Sequence, residues 1–248
     1  MRFKVLLPAA LVVAVAMVLA AGHRGANATT LAVSAQGLGA ASAAEAAFLA
    51  GLSGATTDSF EGFTPANPAL SFVTSVGTFT QTVAGSGGSC GTCIGLVILD
   101  AVTTPFKGRF AVGGSNWLDS NDSKEMTWVP TFSYPTRLGF YITDPNDSDG
   151  RMDITAVDGS TMSTSFVNIF GTGANDLPSG AVFYLSVFDP DGIASLKFFS
   201  NEAADGYGID RRVSQRNARR IAADEIDSGR FRGTYPADLV PADPKHLT

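Results

Sequence analysis

The 248-residue chain has two histidines, His23 and His246, and both lie outside its acidic middle. Without imidazole that middle has no His general base, no Ser-His-Asp triad and no His-ligated zinc. Gly87-Gly-Ser89-Cys-Gly91 matches the Gly-x-Ser-x-Gly pattern of serine hydrolases. It stands in a Gly/Ser run with no helix after it and no base, so the match has no mechanism behind it. Asp144-Pro-Asn-Asp147-Ser-Asp149-Gly150 packs oxygen donors into one turn, and Asp144, Asp147 and Asp149 are candidate calcium ligands. Counted from Asp144, Asp149 falls where an EF-hand needs Gly, and no Glu stands twelfth, so an Asx-rich turn is the simpler reading. Trp117, followed by Asp119 and Asn121, is the best candidate for stacking on a sugar ring. Against it, an aromatic in a β-sandwich is more often core. Glycoside hydrolysis needs two carboxylates across the bond, and no paired-acid strand motif is present. An enzyme is the minority reading.

The elements that would position these residues are strands. Apolar residues make up 45% and charged residues 16%, with 27 Gly, 12 Pro and 17 Phe, which favours short strands and turns. From Thr29 to Asp210 there are 6 Lys/Arg against 18 Asp/Glu, whereas Arg211 to Thr248 carries 8 against 5. So acidic a body repels nucleic acid and anionic lipid. Met1–Ala28 has a basic start, an apolar run and Ala26-Asn27-Ala28, the marks of a secretory signal peptide. Its cleavage would leave a secreted or envelope protein with no stable membrane anchor. In that compartment Cys90-Gly-Thr-Cys93 reads as a local disulfide. A redox motif would open a helix in a βαβ unit, and zinc would need more ligands.

After a linker and short helix over 29–56, the β-domain is expected over 57–210, and an irregular, disordered tail over 211–248. Ser42-x-x-Glu45 reads as the helix's capping box, with Phe48, Leu49 and Leu52 as its apolar side. Period-two alternation predicts a rim strand from Asp58 to Phe63. It predicts others at Gly77–Val83, Ile94–Asp100, Gly108–Val112, Met126–Phe132, Arg137–Thr143, Arg151–Val157, Thr161–Ile169, Ala181–Phe188 and Ile193–Ser200. Asp158-Gly159 and Asp189–Gly192 are read as hairpin turns. The fold class is all-β, a jelly-roll-like β-sandwich.

Five phrases in order carry a resemblance: AEAAFLAGLSGATTDSFEGF (44–63), GRFAVGGSNWL (108–118), RLGFYITD (137–144), VFYLSVFDPDGIASLKFFSN (182–201) and DGYGID (205–210). Together the set resembles the secreted β-sandwich domains of bacterial PEP-CTERM (exosortase-sorted) proteins. The resemblance implies an exported envelope or matrix component, often linked with exopolysaccharide. The chain departs from that pattern at Arg211-Arg212 and lacks the sorting signal, which suggests a tail translated out of frame or acquired. Glu61, near the first strand, and Asp210, in the last motif, resemble the carboxylate pair that shares a structural calcium in calcium-binding jelly rolls, an arrangement also seen in MAM-type domains. The expected function is a non-catalytic β-sandwich module, binding extracellular polysaccharide with calcium as a structural ion. The alternative is a glycan-active hydrolase or lyase.

Overall fold

The computed structural model describes residues 17–20, 28–85, 95–104, 107–121, 123–131, 134–145, 149–172, 176–201 and 206–215. The Gly/Ser run with Cys90 and Cys93, together with Asp147 and the tail beyond 215, lies outside them.

Two antiparallel sheets face each other across one core. The first runs β1 (Met17–Ala20), β2 (Thr30–Val33), β12 (Val182–Phe188), β9 (Arg137–Thr143), β14 (Gly208–Gln215), β7 (Trp117–Asp119), β6 (Val97–Leu99). Here β3 (Ala55–Asp58) is a further partner of β14. The second runs β11 (Thr161–Ser165), β10 (Gly150–Ala156), β13 (Ile193–Ser200), β8 (Glu125–Pro130), β5 (Gly77–Val83), β4 (Ser71–Thr74). Phe140, Ile142 and Leu185 from one sheet meet Phe79, Trp128 and Phe198 from the other. Trp128 stacks on Phe79 with ring centroids 5.1 Å apart and meets Phe140 edge-on at 5.8 Å. The β-sandwich expected from the alternation is the fold observed.

The two sheets differ on their outer sides. Strands β9 and β12 are buried almost without interruption, because the first sheet is covered on both faces. The cover is α1 (Leu38–Ala50) together with the segment 108–116: Ala44, Phe48, Phe110 and Val112 pack on Tyr141, Val182 and Tyr184. The second sheet alternates buried and outward residues along β10, β11 and β13. That alternation is the mark of a sheet with one solvated side.

Several expectations are corrected. The helix starts after Gly37 (φ 106), so Ser42 and Glu45 sit inside it rather than capping it. Gly51, not Gly54, closes it, its N–H reaching the carbonyl of Phe48. The segment Gly108–Val112 is no strand: its alternating apolar residues lie over a sheet face instead of pairing within one. Beyond Ser165 the predicted strand becomes a turn of helix, α2 (Phe166–Phe170), because Ser165 caps Asn168 and the three-residue spacing of Phe166 and Ile169 turns both inward. The Asp189–Gly192 turn joins no hairpin; β12 pairs with β9 and β2, and β13 with β10 and β8, so the turn carries the chain between sheets. The Asp189 carboxylate holds that corner, accepting from the N–H groups of Asp191 (2.9 Å) and Gly192 (3.1 Å) and from the Thr29 hydroxyl (2.5 Å). Asp158-Gly159 does turn a hairpin, β10 to β11.

Both ends of the domain also differ. Met17–Ala20, inside the expected leader, pairs with β2 at the sheet edge. Arg211–Gln215, assigned to the tail, continue β14 against β3 and β9. Among the described residues no helix is long and apolar enough to cross a membrane.

Candidate functional site

Four of the acids singled out in the sequence, Glu61, Asp119, Asp144 and Asp210, converge on the segment 108–116. One edge of β14 serves two strands in turn: Gly208 and Ile209 pair with β7, and Arg212 to Gln215 pair with β3. Between them the register with β9 shifts, Arg211 takes φ 40, and Asp210 faces the segment. Asp210 Oδ2 accepts from the N–H groups of Val112 (2.6 Å) and Gly113 (2.7 Å). Glu61 Oε1 accepts from those of Ser115 and Asn116, both at 2.8 Å. Two residues 149 positions apart in sequence thus clamp one loop. Gly114 (φ 99) lies so close to the Glu61 carboxylate that a Cβ there would collide with it.

Each arginine of the Arg211-Arg212 pair has a partner. Arg211 Nε lies 2.7 Å from Glu45 Oε1 on α1, and the Tyr141 hydroxyl donates to Glu45 Oε2 at 2.9 Å. Burial pushes the Tyr141 phenol up to about 12, with Glu45 adding to the rise. Arg212 points the other way, into the core, and is fully buried. Its Nη2 donates to Asp58 Oδ1 at 2.5 Å, and its guanidinium carbon lies 3.1 Å above the centre of the Phe60 ring. Burial brings Arg212 down to about 9, against the opposing pull of Asp58 and Asp210. Burial works to raise Asp58 too, but Arg212 and the N–H groups of Phe60 and Ser75 outweigh it and hold the carboxyl below its ordinary value. Asp210 ends up raised, at about 6: burial wins over its main-chain donors and over Arg212.

A second buried ion pair lies under the start of the segment. Arg109 Nη1 donates to Asp119 Oδ1 at 3.0 Å, and Asp144 Oδ2 stands 3.9 Å from Arg109 Nε. Burial raises Asp119 despite the guanidinium. Asp144 also accepts the Gly180 N–H at 2.8 Å.

The expected sites therefore fall as follows. Trp117 is 1% exposed and packs on Val97 and Leu99, so its faces are not open for stacking. Asp119 is held by Arg109, and Asn121 is buried with its amide donating to the Gly95 carbonyl. Asp144 turns inward to Arg109 while Asp149 is exposed, so the two do not form one cage. Glu61 and Asp210 do act on one loop, Glu61 accepting from Ser115 and Asn116 and Asp210, near the buried Arg212, from Val112 and Gly113. A calcium ion requires several oxygen ligands, and these two acids already hold main-chain N–H groups with no third acid placed beside them among the described residues. The donor set does not suit a shared calcium. Among the described residues no group of three or more His, Cys, Asp or Glu is placed to hold a metal.

Sequence reasoning missed Glu45, Asp58, Arg109 and the arginine pair. One signal was present: period-two alternation sets Asp58 with the apolar Phe60, and a charge among apolar residues requires a counter-charge, although the expected rim strand over Asp58–Phe63 is not formed, since β3 ends at Asp58 and Phe60 (φ 62) lies in the turn after it.

A cleft of about 590 Å³ opens beside the clamped segment, lined by Asp100, Val102, Thr104, Phe110, Ser115 and Trp117, among others. That volume lies in the range of small-molecule sites.

Fold and site define an antiparallel β-sandwich whose first sheet is overlaid by a carboxylate-clamped loop with a cleft at its side. No family model matches the chain, and no curated protein matches it. It is similar to the solved K2 cleaved adhesin domain of Lys-gingipain, at 16% identity and a TM-score of 0.40, over 65% of this chain and 99% of that one.

Proposed function

We propose that this is an exported, non-catalytic β-sandwich module of the cell envelope or extracellular matrix that binds polysaccharide in the cleft beside residues 108–116. The leader-like Met1–Ala28 supports export, and the ordered phrases shared with PEP-CTERM-type proteins support a matrix role. The observation that carries the binding reading is the use made of the acids. Glu61, Asp210, Asp119 and Asp144 all engage N–H groups or arginines, and the Glu61 and Asp210 bonds fix the loop that walls the cleft. Such a wall is preorganised for binding, with Phe110 as an aromatic surface and Thr104 and Ser115 as polar groups.

Titration with a panel of soluble oligosaccharides, alongside an assay for new reducing ends, tests this. Saturable binding without cleavage is expected, weakened about 3- to 10-fold by Phe110→Ala, the range of an aromatic contact. Turnover would establish the glycan-active reading instead.

A further inference from the structure

The outer side of the second sheet has no covering element among the described residues, in contrast to the first. Cross-strand register places its outward side chains in rows. One row runs Ser71, Thr80, Thr127, Lys197, Asp153, Ser163 through all six strands. A neighbouring row pairs Val73 with Thr78 and Thr78 with Val129, and at its far end Ser195 with Thr155 and Thr155 with Thr161. Successive members of a row are about 4.8 Å apart, close to the length of one sugar ring in an extended chain.

Three features of this face point to one kind of partner. First, its charges cancel in place: Lys197 pairs with Glu125 at 3.0 Å and Arg151 with Asp153 at 3.2 Å. The face is neutral on a body that is otherwise strongly acidic. Second, its hydroxyls are oriented by cross-strand contacts, Ser71 with Thr80 at 3.2 Å and Ser163 with Asp153 at 2.6 Å. Third, an aromatic stands among them: Phe199 lies on the outward side of β13, with the Arg151 guanidinium 3.7 Å from its ring centre. Neutral hydroxyl rows with one aromatic complement a polymer that is itself neutral and hydroxyl-rich. They offer nothing to nucleic acid or to a polyanion, which the body's charge repels.

We infer that the open face of the second sheet is a binding surface for a neutral, extended polysaccharide lying across the strands. It is a second site, separate from the cleft on the first sheet.

The test is a pull-down of the full chain on insoluble β-1,4-glucan, β-1,3-glucan and chitin, with polygalacturonate as the acidic comparison. Binding to at least one neutral polymer is expected, with at least a 10-fold loss in the double variant Thr80→Glu/Thr155→Glu. Phe199→Ala, which adds no charge, should lose binding in the same direction should the double variant fail to fold. The comparison is made in the Phe110→Ala background, which reduces capture through the cleft alike in parent and face variants. Failure to bind any of the neutral polymers, equal binding by parent and folded face variants, or equal binding of polygalacturonate would each overturn the inference. The cleft reading would survive those results, because the soluble-oligosaccharide titration and Phe110→Ala decide it separately.

Discussion

The buried Arg212 and the half-buried Asp58 form an ion pair that joins the last described strand to β3, with Nη2 to Oδ1 at 2.5 Å and the guanidinium resting on Phe60. The tie spans 154 residues of sequence, with its guanidinium end against Phe60 and Phe79 of the core and its carboxylate end at the edge. Replacing Arg212 with Ala strands Asp58 without its cation. A loss of about 3–5 kcal/mol is expected, read from urea unfolding. Arg212→Met should cost less when combined with Asp58→Asn than alone. Truncation after Asp210 should destabilise similarly, since it removes the half of β14 that pairs with β3.

Asp210 gives a pH dependence of definite sign. Its folded pKa, about 6, lies above the unfolded value near 3.9. The folded state therefore holds the proton more tightly, so this group's contribution favours folding at low pH and is lost as pH rises from about 4 through about 6. Asp210→Asn should remove that component. The Tm difference, variant minus parent, should grow more positive across that window. A flat difference from pH 4 to 7 would show that Asp210 titrates normally.

The clamp makes a prediction about metal. With N–H donors on Glu61 and Asp210, the unfolding midpoint should be the same in calcium and in chelator, for the parent and for Glu61→Gln. Glu61→Gln should instead lower the midpoint equally in both, because a neutral acceptor holds the N–H groups of Ser115 and Asn116 more weakly. A calcium-dependent rise abolished in Glu61→Gln would assign the pair to a metal after all.

Gly114 combines φ 99 with a Cβ direction that points at the Glu61 carboxylate. Gly114→Ala should therefore cost stability on the order of 1–3 kcal/mol through backbone strain alone. It should also loosen the cleft wall, seen as faster amide exchange at Ser115 and Asn116 in the full chain.

Alternation along the chain was enough to identify most of the sandwich. Gly77–Val83 and Ile193–Ser200 are strands with those ends because they bury roughly every second side chain, and Arg137–Thr143 is one as a continuous apolar run buried on both faces; both patterns are local properties. The Asp158-Gly159 hairpin is equally local. Composition likewise determined the acidic body and the want of imidazole in it. Tertiary structure decided everything that depends on distant partners. The sequence has no means of telling that the Asp189–Gly192 turn crosses between sheets, since strand pairing is settled by β9 and β10 elsewhere. Phe110 and Val112 alternate like a strand yet lie over one, because burial against Tyr141 and Tyr184 satisfies them equally well. Arg211 and Arg212 look like the start of a solvated basic tail until Glu45 and Asp58 are brought beside them. Trp117 reads as a loop aromatic until Val97 and Leu99 close over it. A charge or ring carries no record of its counterpart in its own neighbourhood; long-range packing supplies it.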